Sequence, residues 1–401
     1  MQDKLSLLPE YAFPRLRNLL KDVKSEKNPI EMHIGEPKHS IPKQLIDFSC
    51  ESINEFGFYP PNEGILELRV AITNWLQKRY RIFDIDPNKN IMTLNGSREG
   101  LFNSAIALCP KKKNNKKPII LMPNPFYQCY LVASLIAGSK PIMLNTSKDN
   151  NYLPDLDKID KKILSQTSIF YICSPTNPQG GIANKDWWKK ILTLAEKYNF
   201  IVFSDECYSE IYHNTIPNGA LEIANQIGID FNRVVVFNSL SKRSNLPGLR
   251  SGFVASGEKN IIKLKKLKSY SGAPNPIPLQ RIAANVWSDE NHVNQNRKIY
   301  KSKMLKVNKI FSELENYSPP QAGFFIWLKV KNDEEITKLL WKDHGVKVLP
   351  GSYLSGNKPY LERKNKQSDN FIRIALVSSE EQVIIGAQKI VDCIQSEEVR
   401  G

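Results

Sequence analysis

Long apolar runs are missing from this sequence of 401 residues, of which 41% are hydrophobic and 24% charged. A membrane-spanning helix needs about 20 consecutive apolar residues, so no span is expected and the composition is that of a globular protein. Cysteine is scarce: Cys50, Cys109, Cys129, Cys173, Cys207 and Cys393 are scattered, with no CxxC spacing. Histidine is scarcer, and no HExxH pattern occurs. A protein-bound metal site is therefore not expected. The start, Met1 to Leu20, carries Asp3, Glu10 and Pro14 in place of the apolar core of a signal peptide, so a cytosolic protein is expected. Internal repeats and low-complexity linkers are also absent.

What is abundant is positive charge, +15 net. Lysines gather in loop-like stretches such as Lys111 to Lys117 without a helix-turn-helix or an aromatic-interleaved basic motif. The expectation is a lysine-rich surface with no nucleic-acid partner, whose positive field favours anionic substrates.

The middle of the chain alternates. Pro118 to Met122, Ile169 to Cys173, Phe200 to Ser204 and Val234 to Phe237 are short apolar runs, the pattern of strands buried on both faces. Between two of them, Trp188, Ile191, Leu192 and Ala195 repeat at the spacing of one helix face. Strands alternating with helices predict an α/β fold with a mainly parallel sheet. Gly323 to Val330 and Phe371 to Leu376 read as strands, and Glu380 to Ile394 as a helix, so the last third reads as a smaller α+β domain completed by the N-terminal segment. The expected division is a large domain over 44–283 and a small one from 1–43 and 284–401.

Ligands in such sheets sit beyond the carboxyl ends of the strands, and there the notable residues fall. Ser174 to Gly181 follows one strand, Asp205 a second, and Ser239 to Lys242 a third. A lysine amine forms an imine with an aldehyde, although Lys242 taken alone reads more readily as a surface lysine. A carboxylate at the end of a buried strand is costly unless it meets a cation such as a protonated pyridine; Asp205 is that or a helix cap. Tyr208 and Asn177 offer hydrogen bonds to a phenolic oxygen, and Asn177 is also a turn residue. Ser239, Ser241 and Arg250 suit a phosphate. So do the backbone amides of Ser97 and Arg98 at a helix start, where Ser97 is also a plausible N-cap. Tyr127 can stack on a pyridine face or pack in a core.

In order and register, Asn177, Asp205-x-x-Tyr208, Ser239-x-x-Lys242 and Arg250 resemble the cofactor site of the aspartate-aminotransferase family of fold-type I pyridoxal-5′-phosphate (PLP) enzymes. The resemblance runs from Gly35 to Arg373. It implies that Lys242 holds PLP as a Schiff base and moves the substrate proton. It implies that Arg373 and the backbone at Gly35, with Asn177, bind the substrate α-carboxylate. It further implies that Tyr59 reaches the phosphate of a neighbouring subunit, hence a homodimer acting on an amino acid and a 2-oxo acid.

Longer stretches, Ile34 to His39, Asn95 to Glu99, Pro123 to Tyr127, Ser204 to Tyr212, Ser239 to Phe253 and Val348 to Leu354, resemble the bacterial N-succinyl-diaminopimelate aminotransferases of lysine and diaminopimelate biosynthesis. The implied reaction exchanges the amino group of N-succinyl-LL-2,6-diaminopimelate with 2-oxoglutarate. Thr176, Gln179 and Ser271 depart from that pattern. The alternatives are an aminotransferase for another dicarboxylic or aromatic amino acid, a PLP lyase on the same fold, and a non-enzymatic aminotransferase-like domain, against which the intact Lys242 and Asp205 speak.

Overall fold

A computed structural model describes residues 8–25, 28–41, 50–315, 317–356 and 370–400. Its centre is a seven-stranded sheet. In spatial order the strands are Ile91–Leu94, Gly252–Ser256, Val234–Ser239, Ile201–Asp205, Thr167–Cys173, Ile119–Asn124 and Lys140–Asn145. Gly252–Ser256 runs antiparallel to both neighbours, and the remaining pairs are parallel.

The apolar runs explain the sheet. Successive strand side chains point to opposite faces, and here both faces are covered. Phe170, Ile172, Val202, Val234 and Val236 enter one packed cluster. Ile169, Tyr171, Phe203, Val235 and Phe237 enter another. Helices Leu66–Tyr80, Lys185–Tyr198, Ala220–Ile227 and Ile277–Ser288 supply the first cluster, and Ser97–Leu108, Gln128–Ile136 and Glu258–Ser271 the second. The predicted helix face lies in Lys185–Tyr198, where Trp188, Ile191, Leu192 and Ala195 are the buried residues. Asn184 starts that helix by accepting a hydrogen bond from Trp187 N at 2.8 Å.

Three strands of this sheet were not expected. Ile91–Leu94 has only four residues, and Gly252–Ser256 opens on glycine. Lys140–Asn145 begins Lys-Pro and lies at the edge of the sheet, where a missing N–H is tolerated.

A second core forms around an antiparallel three-stranded sheet, Leu349–Pro350, Phe371–Ala375 and Phe325–Lys329. Helices Asn291–Phe311, Asp333–His344 and Glu380–Arg400 pack on it through Val307, Phe311, Leu340, Val383 and Ile390. The N-terminal segment joins here, with Ile30–Glu31 pairing parallel to Val346–Lys347. A cluster of Cys207, Tyr208, Tyr300, Phe324, Phe325 and Ala375 lies where the two cores meet. Among the described residues no helix is long and apolar enough to cross a membrane.

Trp188 is fully buried, and its indole nitrogen has no hydrogen-bond partner among the described residues. Truncating it therefore removes packing alone. Trp188→Ala is expected to lower stability by about 3–5 kcal/mol, read as a fall in the thermal midpoint of the cofactor-free protein. An unchanged midpoint would contradict this packing.

Candidate active site

Cys173, Asp205 and Phe237 stand in register on three neighbouring parallel strands, so the carboxyl ends of these strands are level. A cavity of about 300 Å³ opens there, lined by Asn177, Asp205, Tyr208, Ser239, Ser241 and Lys242. The three loops expected to converge thus do so.

Lys242 sits in a single helical turn, Leu240–Arg243, directly after strand Val234–Ser239. Its amine donates to the carbonyl of Gly35 and lies 5.7 Å from the Phe324 ring centre. No carboxylate pairs with it among the described residues. Burial lowers its pKa to about 8, which makes the neutral, nucleophilic amine accessible.

Asp205 is 6% exposed. Its carboxylate accepts from Tyr130 Oη at 2.7 Å and from Cys207 N at 3.4 Å, and no cation pairs with it among the described residues. Burial raises its pKa, against the lowering effect of the Tyr130 bond. A turn rather than a helix follows it, so Asp205 is not a helix cap. A buried carboxylate without a cation is costly; a protonated ring nitrogen would relieve it.

Arg373, in the middle of strand Phe371–Ala375, is buried as well. Nη2 donates to His33 O at 2.9 Å and Nη1 to Asn177 Oδ1 at 3.3 Å, while Nε has no partner among the described residues. The guanidinium carbon lies 4.3 Å from the Phe325 ring centre, and burial lowers its pKa to about 10. Gly35 is confined by the same rings: a Cβ there would come within 2.9 Å of Phe325 and 3.1 Å of Phe324, so this segment approaches closely only as glycine.

Helix Ser97–Leu108 points its first turn at the cavity, where Ser97 and Arg98 are lining residues. Gly96, at φ +86°, holds the N-cap position, so the N-cap expectation for Ser97 is corrected: Ser97 is the first helical residue. The Glu99 carboxylate already accepts from Asn95 N at 2.5 Å. Arg250 crosses over Gly96 and donates to Asn95 O at 2.9 Å and Pro247 O at 2.7 Å. Amides, hydroxyls and a guanidinium thus converge as an anion cradle. Tyr127 lines the cavity wall, with Arg98 Nε donating to its hydroxyl at 2.5 Å. Tyr208 is buried edge-on to Phe324 and Phe325, at 5.6 and 5.8 Å.

Tyr59 stands apart. It is 97% exposed and lies outside the cavity. Ser271 is not a lining residue either, whereas Thr176 and Gln179 are buried in turn contacts to Gly181 N and Thr146 Oγ1. Tyr130, Gln128 and Phe325 escaped the sequence reading. Tyr130 stands in the first turn of helix Gln128–Ile136, which was not read from the sequence, so nothing local marked it. Gln128 clamps Ala12 N at 3.2 Å and Tyr353 O at 3.0 Å, a tie between distant segments that leaves no local signal.

The donor set fits PLP: a half-buried lysine amine, a buried carboxylate with no cation beside it among the described residues, and an anion cradle share one cavity. Comparisons with known proteins agree. Residues 27–390 match the family model described as aminotransferase class I and II. An aminotransferase of Neisseria meningitidis Z2491 is 36% identical with a TM-score of 0.91, covering 98% of this chain and 100% of that one. A second, from Helicobacter pylori 26695, is 31% identical with a TM-score of 0.88, covering 97% and 99%. An LL-diaminopimelate aminotransferase of Dehalococcoides mccartyi is 30% identical, covering 97% of this chain and 98% of its own length.

These relatives correct the expected substrate. Curated relatives carry the name LL-diaminopimelate aminotransferase, without a succinyl group. The physical reason for the misreading is that many of the resembling residues, among them Gly35, Ser97, Tyr127, Ser239, Ser241 and Lys242, line the cavity beside Lys242. A site shaped around a shared cofactor and a shared α-carboxylate carries little information about the far end of the substrate.

Lys242 also sets a pH dependence in the cofactor-free protein. Its pKa falls from 10.5 to about 8 on folding. In that window the unfolded chain binds a proton that the folded chain has released, so stability from this group rises as pH climbs from 8 towards 10.5. Lys242→Met should raise the thermal midpoint by roughly 2–4 °C at pH 7, with the gain shrinking at higher pH. A gain that grows with pH would contradict the buried, depressed amine.

Proposed function

This chain belongs to the aminotransferase class I and II family and is a PLP-dependent aminotransferase that works on an amino acid and a keto acid, and we propose that its amino donor is a dicarboxylic amino acid of the LL-diaminopimelate type. The supporting observation is Arg373, a buried guanidinium in the cavity that holds Lys242, whose Nε lacks a partner among the described residues. That is the arrangement a substrate α-carboxylate would complete with a two-pronged hydrogen bond. The names of the curated relatives favour a diaminopimelate over an aromatic donor.

Each residue then has a task. PLP supplies, when bound, an aldehyde carbon for the amino group and a ring that takes up electrons from the substrate α-carbon. Lys242 Nζ, kept partly neutral by burial, would hold that aldehyde and would serve as the base for the proton of the substrate α-carbon. The Asp205 carboxylate, steadied by Tyr130, keeps the ring nitrogen protonated. Asn177 and Tyr208 donate to the phenolic oxygen. Ser239, Ser241, Arg250 and the amides of Ser97 and Arg98 would hold the phosphate, and Tyr127 would cover the ring. Arg373 and the Gly35 segment hold the α-carboxylate and so orient the α-proton towards Lys242. The two packed cores support a large unit over 44–283 and a small one from 1–43 and 284–401, with the 43/44 boundary outside the described residues.

Tyr59 supports a dimer. A tyrosine this exposed, beside exposed Phe58, would reach the phosphate of a second copy in a twofold assembly. Sedimentation should give a dimer, and Tyr59→Phe should loosen PLP by about one hydrogen bond to a charged group. A fully active monomer refutes this.

The substrate test uses amino donors without an acceptor. LL-diaminopimelate and glutamate should each bleach the visible band of the PLP enzyme, and borohydride should trap the pyridoxyl group on Lys242. Lys242→Ala should lose at least about 10²–10⁴ in turnover. If only aromatic amino acids bleach the band, the diaminopimelate reading fails and the aminotransferase assignment stands.

A further inference from the structure

A buried chain of hydrogen bonds reaches Lys242 from outside the cavity. Asn296, on helix Asn291–Phe311, is 4% exposed. Its Nδ2 donates to the backbone carbonyls of Lys242 at 3.3 Å and Arg243 at 3.2 Å. Its Oδ1 accepts from Asn245 Nδ2 at 3.0 Å and faces His39 Nδ1 at 2.8 Å. The other ring nitrogen of His39 lies 2.7 Å from Lys303 Nζ. Lys303, 1% exposed, also donates to Leu376 O at 3.4 Å and to Ser378 O.

Counting protons gives this chain a direction. An ammonium has three protons and accepts none. Lys303 meets three acceptors, Leu376 O, Ser378 O and His39 Nε2. His39 Nε2 must therefore accept, and the ring proton sits on Nδ1, donated to Asn296 Oδ1. Burial and the neighbouring Lys303 charge keep His39 below its usual pKa, in line with a neutral ring. With its oxygen committed, Asn296 can only aim its amide protons at the carbonyls of Lys242 and Arg243.

The ends of the chain matter. Leu376 and Ser378 lie just beyond Arg373. His39 lies just beyond Gly35, whose carbonyl accepts from the Lys242 amine. A ring path runs alongside: His39 is 4.4 Å from Tyr300, Tyr300 stacks on Phe324 at 5.1 Å, and Phe324 faces Lys242. Neither His39 nor Asn296 lines the cavity.

We infer that His39 and Asn296 are positioning residues that hold the Lys242 backbone in register with the Gly35 segment and Arg373, so that the lysine amine meets the α-proton of a substrate held by its carboxylate. This rests on the aminotransferase reading of the site. The tie acts on geometry at the amine, where a displacement of about 1 Å costs up to about 10²-fold in rate. It leaves the grip on the carboxylate largely intact.

The test compares His39→Phe, which keeps a ring against Tyr300 and removes both nitrogens, with His39→Asn, which keeps a donor for Asn296, and with Asn296→Ala and the His39→Phe/Asn296→Ala double variant. His39→Phe and Asn296→Ala should each lower kcat by about tenfold or more with the donor KM within about twofold. His39→Asn should recover most of the loss, and the double variant should be no worse than the weaker single one. In cofactor-free protein, amide hydrogen exchange across 240–246 should quicken about tenfold in His39→Phe and Asn296→Ala and stay near wild type in His39→Asn. Unchanged kcat, a loss confined to KM, additive losses or unchanged exchange would each overturn the inference. If Asn296→Ala does not fold, the two His39 variants decide it. A wild type without transaminase activity would sink the functional reading alone, because exchange in the cofactor-free protein still reports on the tie.

Discussion

Three charged groups, Asp205 and Arg373 buried and Lys242 half-buried, surround one cavity without a matching opposite charge among the described residues. Asp205 has a phenol and a backbone amide, Lys242 a carbonyl, and Arg373 a carbonyl, an amide oxygen and an aromatic face. Buried ions left in this state each cost several kcal/mol. The pKa shifts have the directions this burial requires: Asp205 is pushed up, Lys242 and Arg373 down. The surrounding apolar packing must offset that cost. The two-faced sheet does so, with the ring cluster of Tyr208, Phe324 and Phe325 closing the cavity wall. A dianionic aldehyde cofactor with a protonated ring nitrogen, followed by a substrate carboxylate, would supply the missing partners.

The partition of these charges follows the partition of the fold. Asp205 and Lys242 stand at strand ends of the seven-stranded sheet, whereas Arg373 belongs to the three-stranded sheet and Gly35 to the segment beside it. The residues proposed for the cofactor and those proposed for the substrate carboxylate thus stand on different cores. They meet through the shared ring cluster and through the chain from Lys303 to Asn296. Chemistry at the α-carbon needs both sides in register, and rigid hydrogen-bonded carriers are one way to hold such a geometry.

Much of this was legible before any coordinates. The apolar runs marked four of the five inner strands because burial on both faces leaves no polar alternation. The residues at their ends suggested a cofactor site only in combination, since Lys242 alone reads as a surface lysine and Asp205 alone as a helix cap. Lys140–Asn145 was hidden because an edge strand can begin with lysine and proline. Ser97 was misplaced by one position because Gly96, with its positive φ, took the cap. The substrate was misread for a different reason: the resembling stretches surround the shared cofactor end, where relatives with different donors look alike.

The sequence by itself determined the fold class, the lysine and the ring of residues around it, because local hydrophobic period and residue chemistry act within a few positions along the chain. Only the tertiary structure decided which of those residues share one cavity and that Tyr59 does not. It alone brought Tyr130 to Asp205, Gln128 to Ala12 and Tyr353, and His39 to Asn296 and Lys303. Those contacts join residues from 75 to 264 positions apart. Burial makes them specific, since a polar group removed from water must find a partner, and the partner's distance along the chain leaves no trace in the local pattern.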